Sequence, residues 1–511
     1  MSKTKLFVRG VSLGYIALIA NILYSLLSVP LALRYLDTQR FGLWAVVTTI
    51  IIYLALAELG MVNAFNRQLI EQKDRRENGR YGSTFLAGMI VFLGIGALVM
   101  LMGGISSLYL KGPFNIPANL SKEFTLVMLG QSAICAATLA TTMLNVPLYI
   151  HQRQDLIQIS QIILFLLNYF VLWFGFHIGM GIYAMLLKDL VGFLFSLGYA
   201  VYFCLKLRLY PSRHEFRRPS KSEFIDIFAY SRDSFMIQLG LQMVNGLPML
   251  LLPKLLGLEA AASWAIVTRS FFILRQIISR PFDYGVIALC DMFVNGRLER
   301  MTARWLDVSR LMLAGAIALL PVAAANNARF IMLWTKGRIA LPSQDHWLIG
   351  MMFLMIILGT STIGMVGIDK KFGKIRYVHF AEALVTTVIA CLTAKTWGLS
   401  GMILSMTISY FLLRFLGGMT YISGVCEKPM SELLFKLLKP ALLLPLTCGL
   451  AAACAQLLPF IPGWSGLIVS ATLGTLSCGF VVLVWGVPLT VKNDALGYFK
   501  PIFSRLALWN R

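Results

Sequence analysis

The mostly apolar stretch 261–290 also holds Arg269, Arg275, Arg280 and Asp283. On a helix advancing about 100° per residue, Arg269 and Arg280 fall about 20° apart, roughly three turns along one face. Asp283 lies about 40° to the other side of Arg269 and neighbours Arg280 at i,i+3. Arg275 points about 120° away, toward a neighbouring helix. A planar guanidinium grips phosphate oxygens in pairs, so such a stripe suits a pyrophosphate. The competing reading pairs Arg280 with Asp283 and leaves the remaining arginines to structural partners.

Further charges stand in other apolar stretches. Lys188 and Asp189 are adjacent, and adjacent side chains diverge on a helix, so each is expected to need its own partner or a wet cavity. Glu58 lies inside an apolar run and either takes up a coupling proton or cation, or pairs with an arginine. Asp189 and Asp283 are further coupling candidates. Glu382 and Arg414 are expected to pair structurally, and Arg310 to pair with Asp307 at i,i+3. Gln238, Gln242 and Asn245 share one face of a helix, and Asn21, Ser25 and Ser28 share another at the same spacing. These two stripes suit sugar hydroxyls or hydrogen bonds between helices. The eight cysteines include no CxxC pair and no Cys/His set, so neither a disulfide framework nor a metal site is indicated. No Walker motif is present, and no cofactor is expected beyond coupling to H+ or Na+.

The elements that must carry these residues are membrane helices. Apolar residues make up 58% of the chain and charged ones 13%, about half the charge of a soluble domain. A span needs about 20 mostly apolar residues. Fourteen stretches qualify: 12–35, 41–66, 83–110, 124–150, 156–177, 181–205, 234–256, 261–290, 304–325, 347–368, 379–397, 400–425, 440–458 and 466–490. The first reads as a retained helix rather than a cleaved signal. With this count, 29 Lys and Arg fall in the loops and tails of the side holding both termini, against six on the other. That asymmetry obeys the positive-inside rule and places both termini in the cytoplasm. It also accounts for the net charge of +22 without nucleic acid, which is not expected as a partner.

Trp44-Ala-Val-Val-Thr48 and Trp264-Ala-Ile-Val-Thr268 each open the second helix of a six-helix set. Six is even, so the two sets enter the membrane alike, as a parallel repeat around a central cavity. The expected organisation is a lobe over 1–205, a basic cytoplasmic linker over 206–233, a second lobe over 234–425, and two further helices with a tail over 426–511.

Pro30-Leu-Ala-Leu-Arg-Tyr-Leu36, Phe41-Gly-Leu-Trp44 and Glu58-Leu-Gly60, with Ala64 and Arg67, resemble the opening signature of the polysaccharide-transport (Wzx-type) flippases of the MOP superfamily. The acidic position there is more often Asp; here it is Glu58. The resemblance implies a non-enzymatic translocase of the bacterial cytoplasmic membrane. It would carry an undecaprenyl-pyrophosphate-linked repeat unit of O-antigen, capsule or exopolysaccharide from the inner to the outer leaflet. The lipid bilayer, a polysaccharide polymerase and a chain-length regulator are the implied partners. Two other readings stay open. A drug/cation antiporter of the same superfamily should favour acids inside its cavity, whereas here interior bases outnumber acids. An outer-face glycan polymerase should need a sizeable outer loop, and the longest, about 326–346, holds Arg329, Lys336, Arg338, Asp345 and His346 without a recognisable constellation.

Overall fold

A computed structural model describes residues 3–58, 60–72, 79–151, 153–216, 221–365, 377–456, 461, 463–487 and 492; over 3–12 and 221–238, and at 15, 63, 64, 67, 71, 213, 284, 287, 288, 291 and 294, it describes the backbone alone. All regular structure among them is helical. A lipid core offers no partner for an unpaired backbone amide, so helices, which satisfy their own, are what this apolar chain must form.

Chain contacts divide the protein into two compact units, Met1–Ser263 and Trp264–Arg511. The first holds α1 (Lys3–Tyr35), α2 (Thr38–Ala55), α3 (Met61–Gln72), α4 (Arg80–Tyr109), α5 (Ser121–Ala140), α6 (Thr142–Ile150), α7 (Gln154–His177), α8 (Tyr183–Lys206) and α9 (Lys221–Leu256). The division falls inside α10 (Leu258–Val267), beyond the stretch 206–233 read as a linker. The cause is local: α9 docks on α2, where the Tyr53 hydroxyl donates to the Gln242 carbonyl at 2.9 Å.

Within this unit α4 shows how a membrane helix packs. It turns Gly88, Gly96, Gly103 and Ser107 inward beside Tyr81, Phe85 and Phe92, and leaves Leu93, Leu101 and Leu108 exposed. A Cβ added at Gly96 would stand 2.6 Å from the Ala136 carbonyl oxygen, so only glycine lets α4 and α5 approach this closely. Lipid is as apolar as leucine, so the helices gain by close packing, which small residues permit, rather than by removing apolar surface from their surroundings.

The second unit is built on α11 (Arg269–Val294), α12 (Leu298–Trp334), α13 (Ser343–Ile363) and α14 (Val378–Ser409). A π-helical turn, Tyr410–Leu416, leads into α15 (Gly417–Cys426), followed by α16 (Met430–Leu438), α17 (Leu444–Gln456) and α18 (Gly463–Val481). The long α12 is the spine of the unit. The last two helices, which fall outside the sequence repeat, dock on it through Val322, Ala451 and Cys478. The Ser470 hydroxyl donates to Asn326 Oδ1 at 2.8 Å across the same contact.

Twelve stretches among the described residues are long and apolar enough to cross a membrane. The other two of the fourteen are accounted for physically. The stretch 261–290 forms α10 and α11, and its three arginines and Asp283 make it too polar to qualify. The stretch Val378–Cys426 counts once, yet Gly398 breaks it at φ 58°, ψ −135°. That left-handed conformation favours glycine. It folds the chain back on itself, so the Thr393 hydroxyl donates to the Gly401 carbonyl at 3.0 Å. The protein is therefore an all-α, multi-pass membrane protein.

Candidate functional site

In the second unit Arg275 leaves α11 half-buried and interacts electrostatically with Arg414 and Tyr410 of the π-turn. Asp283 acts on it only through space, and among the described residues Arg275 has no hydrogen bond or ion pair. Arg414 is different. It is buried, its Nε lies 3.0 Å from Glu382 Oε1, and its guanidinium covers the Tyr410 ring at 4.6 Å. Glu382 is fully buried, and its second oxygen lies 2.9 Å from His379 Nδ1. The pairing expected for Glu382 and Arg414 is thus present. His379, three residues before Glu382, is a partner the sequence reading did not include.

The π-turn places Arg414. Its extra residue per turn widens the helix and shifts the side chains that follow. The stem of Arg414 then lies where Gly359 of α13 leaves room: a Cβ on Gly359 would stand 2.6 Å from Arg414 Cδ. Arg275, Arg280 and Arg414 face two acids, Glu382 and Asp283, so one positive charge is left over. Arg280 and Asp283 interact electrostatically, but among the described residues they form no ion pair. Arg269 opens α11 half-buried and has a partner of its own. The expected Arg310–Asp307 pair does not form. Arg310 Nε donates to the Lys436 carbonyl at 2.7 Å, and Asp307 lies 3.9 Å from Arg304 instead. Arg310 is drawn to α16 because the carbonyls near a helix C-terminus lack donor partners within the helix.

In the first unit Lys188 and Asp189 pair with each other, contrary to the expectation that adjacent residues diverge. A lysine stem is long and flexible enough to swing its ammonium back to the neighbouring carboxylate. Gln131 Nε2 donates to the other oxygen, Asp189 Oδ2, at 2.6 Å. Lys188 also meets the Tyr24 hydroxyl and lies 6.0 Å from the Trp44 ring centre. Asp189 opens onto a cavity of about 410 Å³ between α2, α5, α6, α7 and α8. Glu58 ends the helical segment after α2, half-buried, without an ion pair among the described residues.

The polar stripes are placed unevenly. Asn21 is half-buried and Ser25 buried with a partner, while Ser28 donates to the Ser25 carbonyl. Gln242 is half-buried and Asn245 exposed. The side chain of Gln238 lies outside the described residues. Asp345 and His346, read as outer-loop residues, are both buried. Asn327 Nδ2 donates to His346 Nδ1 at 3.0 Å, and Ser400 donates to Asp345. Among the described residues no group of three or more His, Cys, Asp or Glu could hold a metal ion.

No protein-family model matches this chain, and no curated protein matches its sequence. Solved structures do match its shape. The lipid II flippase MurJ, in an inward closed conformation, superposes over 97% of this chain and 100% of its own, with a TM-score of 0.64 at 10% identity. An inward-facing MATE-family multidrug resistance transporter of the MOP superfamily covers 79% of this chain and 95% of its own, with a TM-score of 0.63 at 12% identity. A MATE transporter in a bent conformation covers 84% and 97%, with a TM-score of 0.57 at 14% identity. The fold is that of the MOP-superfamily transporters. The MurJ match takes in nearly the whole chain, so the likeness extends through the complete helical succession.

Proposed function

We propose that this protein moves a lipid-linked, anionic oligosaccharide across the bacterial cytoplasmic membrane by alternating access. The cargo in this reading is an undecaprenyl-pyrophosphate-linked repeat unit of O-antigen, capsule or exopolysaccharide, carried from the inner to the outer leaflet. The observation that carries it is Arg275: a half-buried arginine in a membrane protein, beside a second arginine, with no hydrogen-bond or ion-pair partner of its own among the described residues. A charge near mid-bilayer costs about 3 kcal/mol or more, so a guanidinium held without a carboxylate is suited to receive an anion. Arg269 and Arg280 extend the basic character of the same helix, whereas the charge of Lys188 in the first unit is neutralised by Asp189. Asn21, Ser25, Gln238, Gln242 and Asn245 would offer hydrogen bonds to the glycan. The likeness in fold to the lipid II flippase MurJ supports a lipid-linked cargo.

The moving bodies in this reading are the six-helix lobes 1–205 and 234–425, joined by 206–233, with 426–511 riding on the second. Both termini face the cytoplasm, and a polymerase and a chain-length regulator would receive the flipped product. Glu58, Asp189 and Asp283 are the coupling candidates for H+ or Na+. Asp189 is paired with Lys188, whereas Glu58 and Asp283 have no ion-pair partner among the described residues. A drug/cation antiporter shares this fold, but the surplus of base around Arg275 disfavours a cationic cargo.

The test is reconstitution in vesicles with a fluorescent undecaprenyl-pyrophosphate glycan. Losing a charge-assisted contact worth about 1.5–3 kcal/mol should slow flipping by about ten- to a hundredfold in Arg275→Ala. Flipping at the wild-type rate in that variant would discard the reading. Rates unchanged when H+ and Na+ gradients are collapsed would remove the coupling.

A further inference from the structure

We infer that the cavity of the first unit is a binding subsite for an uncharged sugar ring. The inference deepens the proposed function by giving the glycan a place distinct from the arginines, and it rests on that reading for its biological cargo. At about 410 Å³ the cavity falls within the roughly 300–1,000 Å³ of small-molecule sites. Its wall includes Asp189, Asn168, Asn145, Ser196, Thr138 and Phe193.

Charge decides the ligand class. One Asp189 oxygen is held by the Lys188 ammonium and the other by the Gln131 amide at 2.6 Å. The carboxylate and the ammonium cancel, so the wall is formally neutral. A cation would have to displace Lys188 from its partner, and an anion would meet the carboxylate that lines the wall. A neutral polar ligand does neither.

Hydrogen-bonding capacity narrows it further. Asn168 Oδ1 is buried and accepts no hydrogen bond. A buried acceptor without a partner costs about 1–3 kcal/mol, so the position calls for a donor. Asn145 and Ser196 also make no side-chain hydrogen bond among the described residues. Amides and hydroxyls both donate and accept, as every sugar hydroxyl does. Phe193 supplies an apolar face for the C–H side of a pyranose ring. Amides, hydroxyls and an aromatic on one wall, with no net charge, match a hydroxyl-rich ring better than a drug-like apolar ligand.

The experiment titrates the full chain in lipid nanodiscs with methyl glycosides of glucose, galactose, mannose and N-acetylglucosamine, read by saturation-transfer NMR. At least one glycoside should bind. Asn168→Leu removes the unpartnered acceptor, and Ser196→Leu fills the cavity from another helix. Each should weaken binding about tenfold or more, a loss equivalent to about 1.4 kcal/mol. Leu166→Ala, on an exposed side of α7, should leave it unchanged. Thermal melting of each variant identifies one that has failed to fold, and the other then decides. Binding of no glycoside to the wild type, or equal binding in the folded variants, overturns the subsite. Glycoside binding in a protein that does not flip the lipid-linked glycan supports the subsite and overturns only the transport reading. Flipping without glycoside binding does the reverse.

Discussion

Each unit of this protein holds an ion pair among its membrane helices, and the two pairs differ in what surrounds them. Arg414–Glu382 is buried on every side, with His379 on the second oxygen and Tyr410 against the guanidinium. Lys188–Asp189 stands at the edge of a cavity, with side chains 14% and 28% exposed. Both pairs neutralise a charge that the bilayer would otherwise penalise. Only the second leaves polar surface that a ligand could reach. Pairing alone therefore does not separate structural charges from functional ones; the packing around the pair does.

The sharpest way to break this comparison is to remove one partner from the dry pair. Glu382→Ala strands Arg414 in a buried site and should cost about 3–5 kcal/mol, seen as a lowered unfolding midpoint in detergent. Replacing both, Glu382→Leu with Arg414→Met, should restore most of that loss, because an apolar pair of similar volume carries no desolvation cost. A small loss in the single variant would mean that water reaches the pair and that the contrast is false.

The wet pair should respond less. Asp189→Asn keeps the shape, and Lys188, 14% exposed, retains the Tyr24 hydroxyl. The expected cost is about 1 kcal/mol by the same unfolding measurement. A loss as large as that of Glu382→Ala would place both pairs in one class.

The smallest effect belongs to a third pair, at the head of α2. Arg40 grips Glu123 at 2.8 Å while remaining 36% exposed. Exposed pairs contribute about 0.2–1 kcal/mol, so Arg40→Gln should shift unfolding only slightly. Salt at about 1 M, where the screening length is about 3 Å, should erase most of the difference. Together the three variants order the pairs by their access to water.

The helix pattern was legible because its cause, apolar length, is local. Even the hairpin turn at Gly398 fell between the expected stretches 379–397 and 400–425. The interruptions inside single spans were not legible. The expected helix 41–66 divides into α2 and α3 near Gly60, and 261–290 divides at Thr268, since hydropathy does not register a local unwinding. The Glu382–Arg414 pair followed from having one interior acid and one interior base on helices that had to be neighbours. His379 escaped because a lone histidine on an apolar face gives no signal until its i+3 neighbour is known to be fully buried. Lys188–Asp189 escaped because helix geometry fixes where the Cβ atoms point, whereas the reach of a lysine is set by its rotamers. The cavity beside it was out of reach of the sequence altogether: it is a property of how five helices fail to fill the space between them.

The π-turn at Tyr410–Leu416 has a consequence for the history of the chain. Such a turn is an α-helix that has accommodated one inserted residue. Deleting one residue between Tyr410 and Arg414 would restore regular winding and leave the helix beyond it roughly in register, while the side chains inside the turn would each move by one position. α15 would keep its buried side, but Arg414 would no longer stand opposite Glu382. The length of this segment is therefore as constrained as its composition.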